Sequence, residues 1–128
     1  MTRFFAIAAL IAVSGAAQSQ PFGLCGNYVQ LTSNAGDCFE CRLLIADNPE
    51  IQKYFVEANN GWTAELVWVD GDASVATGQG FWGPVGGLFD NAGFEIDLNQ
   101  QGRIMTMLMT HHLPELSGTI EATYACTD

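Results

Sequence analysis

Positive charge is scarce in this chain. Four Lys and Arg stand against 14 Asp and Glu, a formal net charge of −10. Such a surface repels phosphate backbones and anionic lipid, which argues against nucleic acid or a membrane surface as partner. It suits solubility outside the cell and favours a basic partner. Histidine is nearly missing too, with His111 and His112 the only two. There is no HExxH and no Ser in a nucleophile elbow, so hydrolytic catalysis finds no support and an enzyme is not expected. No motif asks for a cofactor. Internal repeats, linkers and low-complexity tracts are absent, and there is only one long apolar run.

That run opens the chain. Arg3 precedes apolar residues from Phe4 to Val13, and Ser14-Gly15-Ala16-Ala17 supplies small residues for a signal peptidase. About ten apolar residues are too few to cross a bilayer, and the pattern is that of a cleaved secretory signal. Residues 1–17 are expected to leave, with cleavage after Ser19 fitting equally. Phe22-Gly23-Leu24 before Cys25 lacks the small residues of a lipoprotein signal, so no lipid anchor is expected. The remaining residues, 18–128, read as a single secreted or periplasmic domain, large enough for a real core.

Period-two alternation dominates that domain. Cys25, Val29 and Leu31 share one face of a first strand, opposite Gly26, Tyr28 and Gln30. A second strand is expected around Phe39 to Ala46, where Arg42-Leu43-Leu44-Ile45 fits either a buried strand or part of a helix. Trp62, Ala64, Leu66 and Trp68 alternate with Thr63, Glu65, Val67 and Val69, and Asp70-Gly71 then signals a tight turn into a return strand from Ala73 to Gly80. Phe94 to Leu98 is the clearest strand. A turn from Asn99 to Gly102 leads into Ile104 to Thr110, and the last strand runs from about Gly118 to Cys126. One segment reads differently. Asn48-Pro49-Glu50 resembles a helix start, and Ile51, Tyr54, Phe55 and Ala58 fall at helical spacing, which predicts a short helix over about 49–58. The fold class that follows is mainly β: a small antiparallel barrel or sandwich with one short helix.

Four cysteines in an exported chain read first as disulfides. If the first and last strands are antiparallel neighbours, Cys25 and Cys126 meet side by side and tie the sheet closed, which leaves Cys38 to pair with Cys41. Cys38-Phe39-Glu40-Cys41 is also a CxxC motif, and a thiol oxidoreductase is therefore an alternative. Such a fold needs alternating strands and helices, whereas everything after Gly61 reads as strand and turn. A zinc site would need a second close cysteine pair, which Cys25 and Cys126 do not supply.

Two further constellations stand out. Met105, Met107, Met109 and His111 occupy every second position and would project from one face of a strand. Soft thioethers with an imidazole suit Cu(I), which makes a periplasmic copper protein a second alternative, but methionines also fill irregular cores. Gly78-Gln79-Gly80-Phe81-Trp82-Gly83 matches GxGxxG literally. Pro84, Val85, Gly86 and Gly87 follow where a helix would have to start, so no dinucleotide site is expected. What remains is a mobile Gly-rich loop carrying Phe81 and Trp82, which either contact a partner or tuck in as a barrel lid. The acids Glu95/Asp97 and Asp70/Asp72 read as a solvated face and a turn.

The leading expectation is a disulfide-bonded, non-catalytic binding module. Its ligand is either a small apolar molecule held in a barrel mouth between the Met face and Phe81/Trp82, or a basic secreted protein, as for an inhibitor. Phe81, Trp82, Trp62 and Trp68 are the expected contact residues.

Overall fold

The structure, a computed structural model, describes residues 23–36, 38, 40–113 and 116–128. The leader expected over residues 1–17 lies outside them. Eight strands close into one antiparallel barrel in simple chain order. They are β1 (Asn27–Ser33), β2 (Arg42–Asn48), β3 (Lys53–Ala58), β4 (Trp62–Val69), β5 (Asp72–Trp82), β6 (Gly93–Gln101), β7 (Ile104–Leu113) and β8 (Leu116–Cys126). Pairing of β1 with β8 completes the ring, and closure leaves no open sheet edge. The barrel has a base, where β2–β3, β4–β5 and β6–β7 turn and both disulfide-linked ends meet. Its mouth carries the β1–β2, β3–β4, β5–β6 and β7–β8 connections. No described helix is long and apolar enough to cross a membrane.

The alternation explains the core. Tyr54 and Val56, then Trp62, Ala64 and Leu66, then Phe94, Ile96 and Leu98 are buried, while the residues between them face outward. Met105, Met107, Met109 and His111 all point inward and are at most 4% exposed, so the whole Met face is barrel interior. In β8, Ala122, Tyr124 and Cys126 do the same.

Closure depends on Gly78 and Gly80, which occupy inward positions of β5. A Cβ on Gly78 would overlap the carbonyl oxygen of Glu65 and lie 2.7 Å from the Cα of Leu66, both backbone atoms of β4. On Gly80 it would overlap the carbonyl oxygen of Thr63 and meet the Phe94 ring at 2.7 Å. Bare backbone at these two places lets β5 curl tightly against β4, and Phe94, paired with Gly80, covers the gap from inside.

Both expected disulfides form. Cys25–Cys126 ties the chain across 101 residues at the base, and Cys38–Cys41 lies in the β1–β2 connection. Disulfides of this kind suit an oxidising, extracellular-type environment. A polar plug sits beside the first. The Tyr28 hydroxyl donates to Gln100 Oε1 at 2.5 Å and accepts from the Cys25 amide at 2.7 Å, while Gln100 Nε2 donates to the Gly102 carbonyl at 2.7 Å. Burial pushes the Tyr28 hydroxyl far above the ordinary tyrosine range, so it remains a donor.

Three expectations need correction. The helix over about 49–58 does not form: Pro49 to Gln52 is a turn, with i→i+3 hydrogen bonds from Ile51 and Gln52, and β3 follows. Gln52 takes a left-handed conformation (φ 55°) that stops any helix. The helical spacing of Ile51, Tyr54, Phe55 and Ala58 hid a period-two pattern in Tyr54, Val56 and Ala58, and pairing on both sides of β3 decides for the strand. In β1 the inward face is Tyr28 and Gln30, not Val29 and Leu31, because Cys25 lies before the strand; Leu31 is 53% exposed. The turn expected from Asn99 falls later, at Gly102-Arg103, because Asn99 to Gln101 continue β6.

Candidate functional site

Phe81 and Trp82 are the last two residues of β5 rather than part of a loop, and strand alternation sends them to opposite sides. Trp82 turns inward and is 7% exposed, whereas Phe81 turns outward and is 59% exposed. Two separate concavities result, one on each side of the sheet.

The larger lies outside, across β2 to β6. It is an open groove of about 1210 Å³ lined mostly by outward residues, with Val56, Ala64 and the bare backbone of Gly78 and Gly80 in its floor. Cross-strand register explains its composition. One row runs Leu44–Glu57–Thr63–Phe81, the next Ala46–Phe55–Glu65–Gln79–Glu95, and the third Lys53–Val67–Thr77–Asp97. Apolar and acidic side chains thus interleave. Leu44, Phe55, Val67 and Phe81 are each between 42% and 59% exposed, large apolar groups left in water on one face. Around them stand Glu57, Glu65, Glu95 and Asp97. Lys53 reaches Glu65 at 2.6 Å, and His112 Nε2 lies 3.4 Å from Glu95. Thr77 donates to Asp97 at 2.6 Å. Four carboxylates against one lysine leave the groove strongly negative.

The smaller concavity is inside the mouth, about 210 Å³. Trp62, Trp82 and Phe89 form its aromatic side, and Met107, Met109, Ile120 and Ala122 its aliphatic one. Trp82 Nε1 donates to His111 Nε2 at 3.0 Å, which fixes the indole in place. Phe89 and Phe94 lie 5.1 Å and 5.7 Å from the imidazole, ring centre to ring centre. This enclosure holds the His111 pKa below its ordinary value, first by desolvation and then through neighbouring His112, and keeps Nε2 free to accept.

The four aromatic residues singled out from sequence therefore divide three ways. Trp62 and Trp82 share the mouth cavity, and Phe81 belongs to the outer groove. Trp68 sits near the base, 6.2 Å from Tyr54, and its Nε1 is the one fully buried side-chain nitrogen without a partner among the described residues. Met105 stands toward the base, whereas Met107 and Met109 line the mouth cavity; His111 has committed one nitrogen to Trp82. His112, one residue on, faces solvent, so the two imidazoles lie on opposite sides of the wall. Cys41 leads directly into β2, and among the described residues no helix N-terminus lies beside the pair to activate a thiol. Among the described residues no group of three His, Cys, Asp or Glu is placed to hold a metal.

Leu44, Phe55 and Val67 were missed as surface groups. The signal was present: each occupies the outward parity of a strand whose inward parity is already apolar. The false helix over 49–58 removed β3 from the sheet and with it the row that joins them. Comparison with known proteins adds no assignment: no protein-family description, curated protein or solved structure matches the chain.

Proposed function

We propose that the protein is an exported, non-catalytic docking module that holds a basic segment of another secreted or periplasmic protein in its outer groove. The observation that carries this reading is the coincidence of four exposed apolar side chains with four carboxylates on one face of the barrel. A solvated strand face needs neither Phe81 nor Phe55. An apolar patch rimmed by one sign of charge fits a partner with apolar anchors among Lys and Arg.

Magnitudes say which term dominates. Covering what remains exposed of Leu44, Phe55, Val67 and Phe81 is worth about 1 kcal/mol each. About 4 kcal/mol corresponds to millimolar binding even before the cost of association. Useful affinity therefore requires the carboxylates, and binding should weaken steeply as salt is raised. The leader expected over residues 1–17 and the disulfides support export of the module.

The test uses three synthetic peptides of equal length, Lys/Leu, Lys/Ser and Glu/Leu. Calorimetry should show binding of Lys/Leu, at least tenfold weaker binding of Lys/Ser, and none of Glu/Leu. Charge reversal at Glu57, Glu95 and Asp97 should abolish Lys/Leu binding, and Phe55→Ser with Phe81→Ser should reduce it to the Lys/Ser level. Equal binding of Lys/Leu and Lys/Ser would reduce the groove to nonspecific charge.

A further inference from the structure

The interior of an eight-stranded barrel is ordinarily filled by its own side chains, and most of this one is. Tyr28, Tyr54, Leu66, Ile96, Leu98 and Met105 are all at most 1% exposed. Toward the mouth the filling stops, and a cavity of about 210 Å³ remains between β7–β8 and the Trp82 wall. An apolar cavity of about 150 Å³ is enough to take a benzene ring. From this geometry we infer a second binding site, inside the barrel, for a small flat aromatic molecule that carries one hydroxyl or other hydrogen-bonding edge.

The chemistry of the walls sets that ligand class. Met107 and Met109 face the space from one side, and polarizable thioethers pack well on aromatic rings. Trp62, Trp82 and Phe89 offer ring faces and edges, with Trp82 and Phe89 centroids 4.9 Å apart. The opposite wall is polar for a specific reason. β1 carries a bulge between Gln30 and Thr32, so Gln30 stays opposite Tyr124 while Ser33 comes opposite Ala122. Without that extra residue, Thr32 would take the place opposite Ala122 and Ser33 would face out. The bulge therefore sets both Gln30 and Ser33 against the cavity.

Gln30 supplies the polar handle. Its Oε1 accepts a long hydrogen bond from the Tyr124 hydroxyl at 3.4 Å, and its amide N–H groups have no partner among the described residues. Burial pushes the Tyr124 pKa up to about 12, so this hydroxyl stays neutral and can also meet a ligand edge. A chain of net charge −10 disfavours an anionic guest, which leaves a neutral phenol-like or amide-like molecule. The Trp82–His111 hydrogen bond keeps the aromatic wall preformed, so little ordering is required on entry.

The experiment compares p-cresol with toluene, a pair that differs by one hydroxyl, by quenching of tryptophan fluorescence and by thermal shift. p-Cresol should bind at least tenfold more tightly than toluene. Gln30→Leu should bring p-cresol down to the toluene level and leave toluene unchanged. Met109→Trp should fill the cavity and abolish both; Ala122→Leu, a smaller intrusion, covers the case in which Met109→Trp fails to fold. Lys/Leu peptide binding in the outer groove should survive all three substitutions, so failure of either site is read separately. No binding of either probe at their solubility limits, or binding that ignores Met109→Trp and Ala122→Leu, would overturn the inference.

Discussion

Gly78→Ala adds a single methyl group and should do more damage than most core truncations. The new Cβ overlaps a carbonyl oxygen of β4 and sits 2.7 Å from the Leu66 Cα, where no real Cβ is found. Both obstacles are backbone in a paired strand, so no side-chain rotation relieves them, and β5 must peel away from β4. Overpacking a tight core typically costs 1–3 kcal/mol and occasionally more. With backbone as the obstacle, about 3 kcal/mol or more is expected. For a domain of this size that lowers Tm by roughly 12 °C, at about 4 °C per kcal/mol. Gly93→Ala is the control. Gly93 has no positive φ, and its added Cβ finds its nearest atom at 3.8 Å, so stability should move by less than about 0.5 kcal/mol. Urea melts followed by far-UV circular dichroism measure both. A Gly78→Ala variant as stable as Gly93→Ala would refute the view that bare backbone at β5 closes the barrel and floors the groove.

Other outcomes follow from the same structure. Replacing Cys25 and Cys126 by Ser should cost about 2–5 kcal/mol because the bridge closes a very long loop, and replacing Cys38 and Cys41 should cost less in the same urea titration. Met107→Ala, at a side chain 2% exposed, should cost about 2–5 kcal/mol; a loss confined to Cu(I) affinity, with stability intact, would instead favour a metal site. The folded pKa of His111 lies below its unfolded value, so the unfolded chain binds the extra proton first. Its contribution to stability is full above about pH 6.5, declines as pH falls below that, and is lost below the folded pKa. Urea midpoints from pH 7.5 to 4.5 should show this decline in wild type and a shallower one in His111→Gln. An insulin-reduction assay should show no turnover, since Cys41 leads into a strand rather than a helix; turnover abolished by Cys38→Ser would restore the oxidoreductase alternative.

Much of the barrel was legible because its inward residues repeat with period two over long stretches. The strands carrying Trp62–Trp68, Phe94–Leu98, Met105–His111 and Ile120–Cys126 each needed only parity to be placed, and antiparallel closure then paired Cys25 with Cys126. β3 was obscured because Asn48-Pro49-Glu50 has helix-start chemistry and the strand is short. What decided it was pairing with β2 and β4, which no local pattern contains. The face of β1 was misread because Cys25 looks like part of the strand, and the bulge beyond Gln30 has no composition signal. The outer groove lies in cross-strand rows, so it became visible only with register. The Trp82–His111 bond, across 29 residues of sequence, was invisible for the same reason.

The central claim is that the outer face of β2 to β6 is where the protein meets its partner. Backbone amide chemical-shift mapping with the Lys/Leu peptide at moderate salt tests it most directly. The account predicts shifts concentrated at Leu44, Phe55, Glu65, Val67 and Phe81, with the outward residues Ile104 and Thr106 of β7 and the base loop at Gly102 unmoved. Shifts spread evenly over acidic residues all round the barrel, or confined to the mouth, would contradict it.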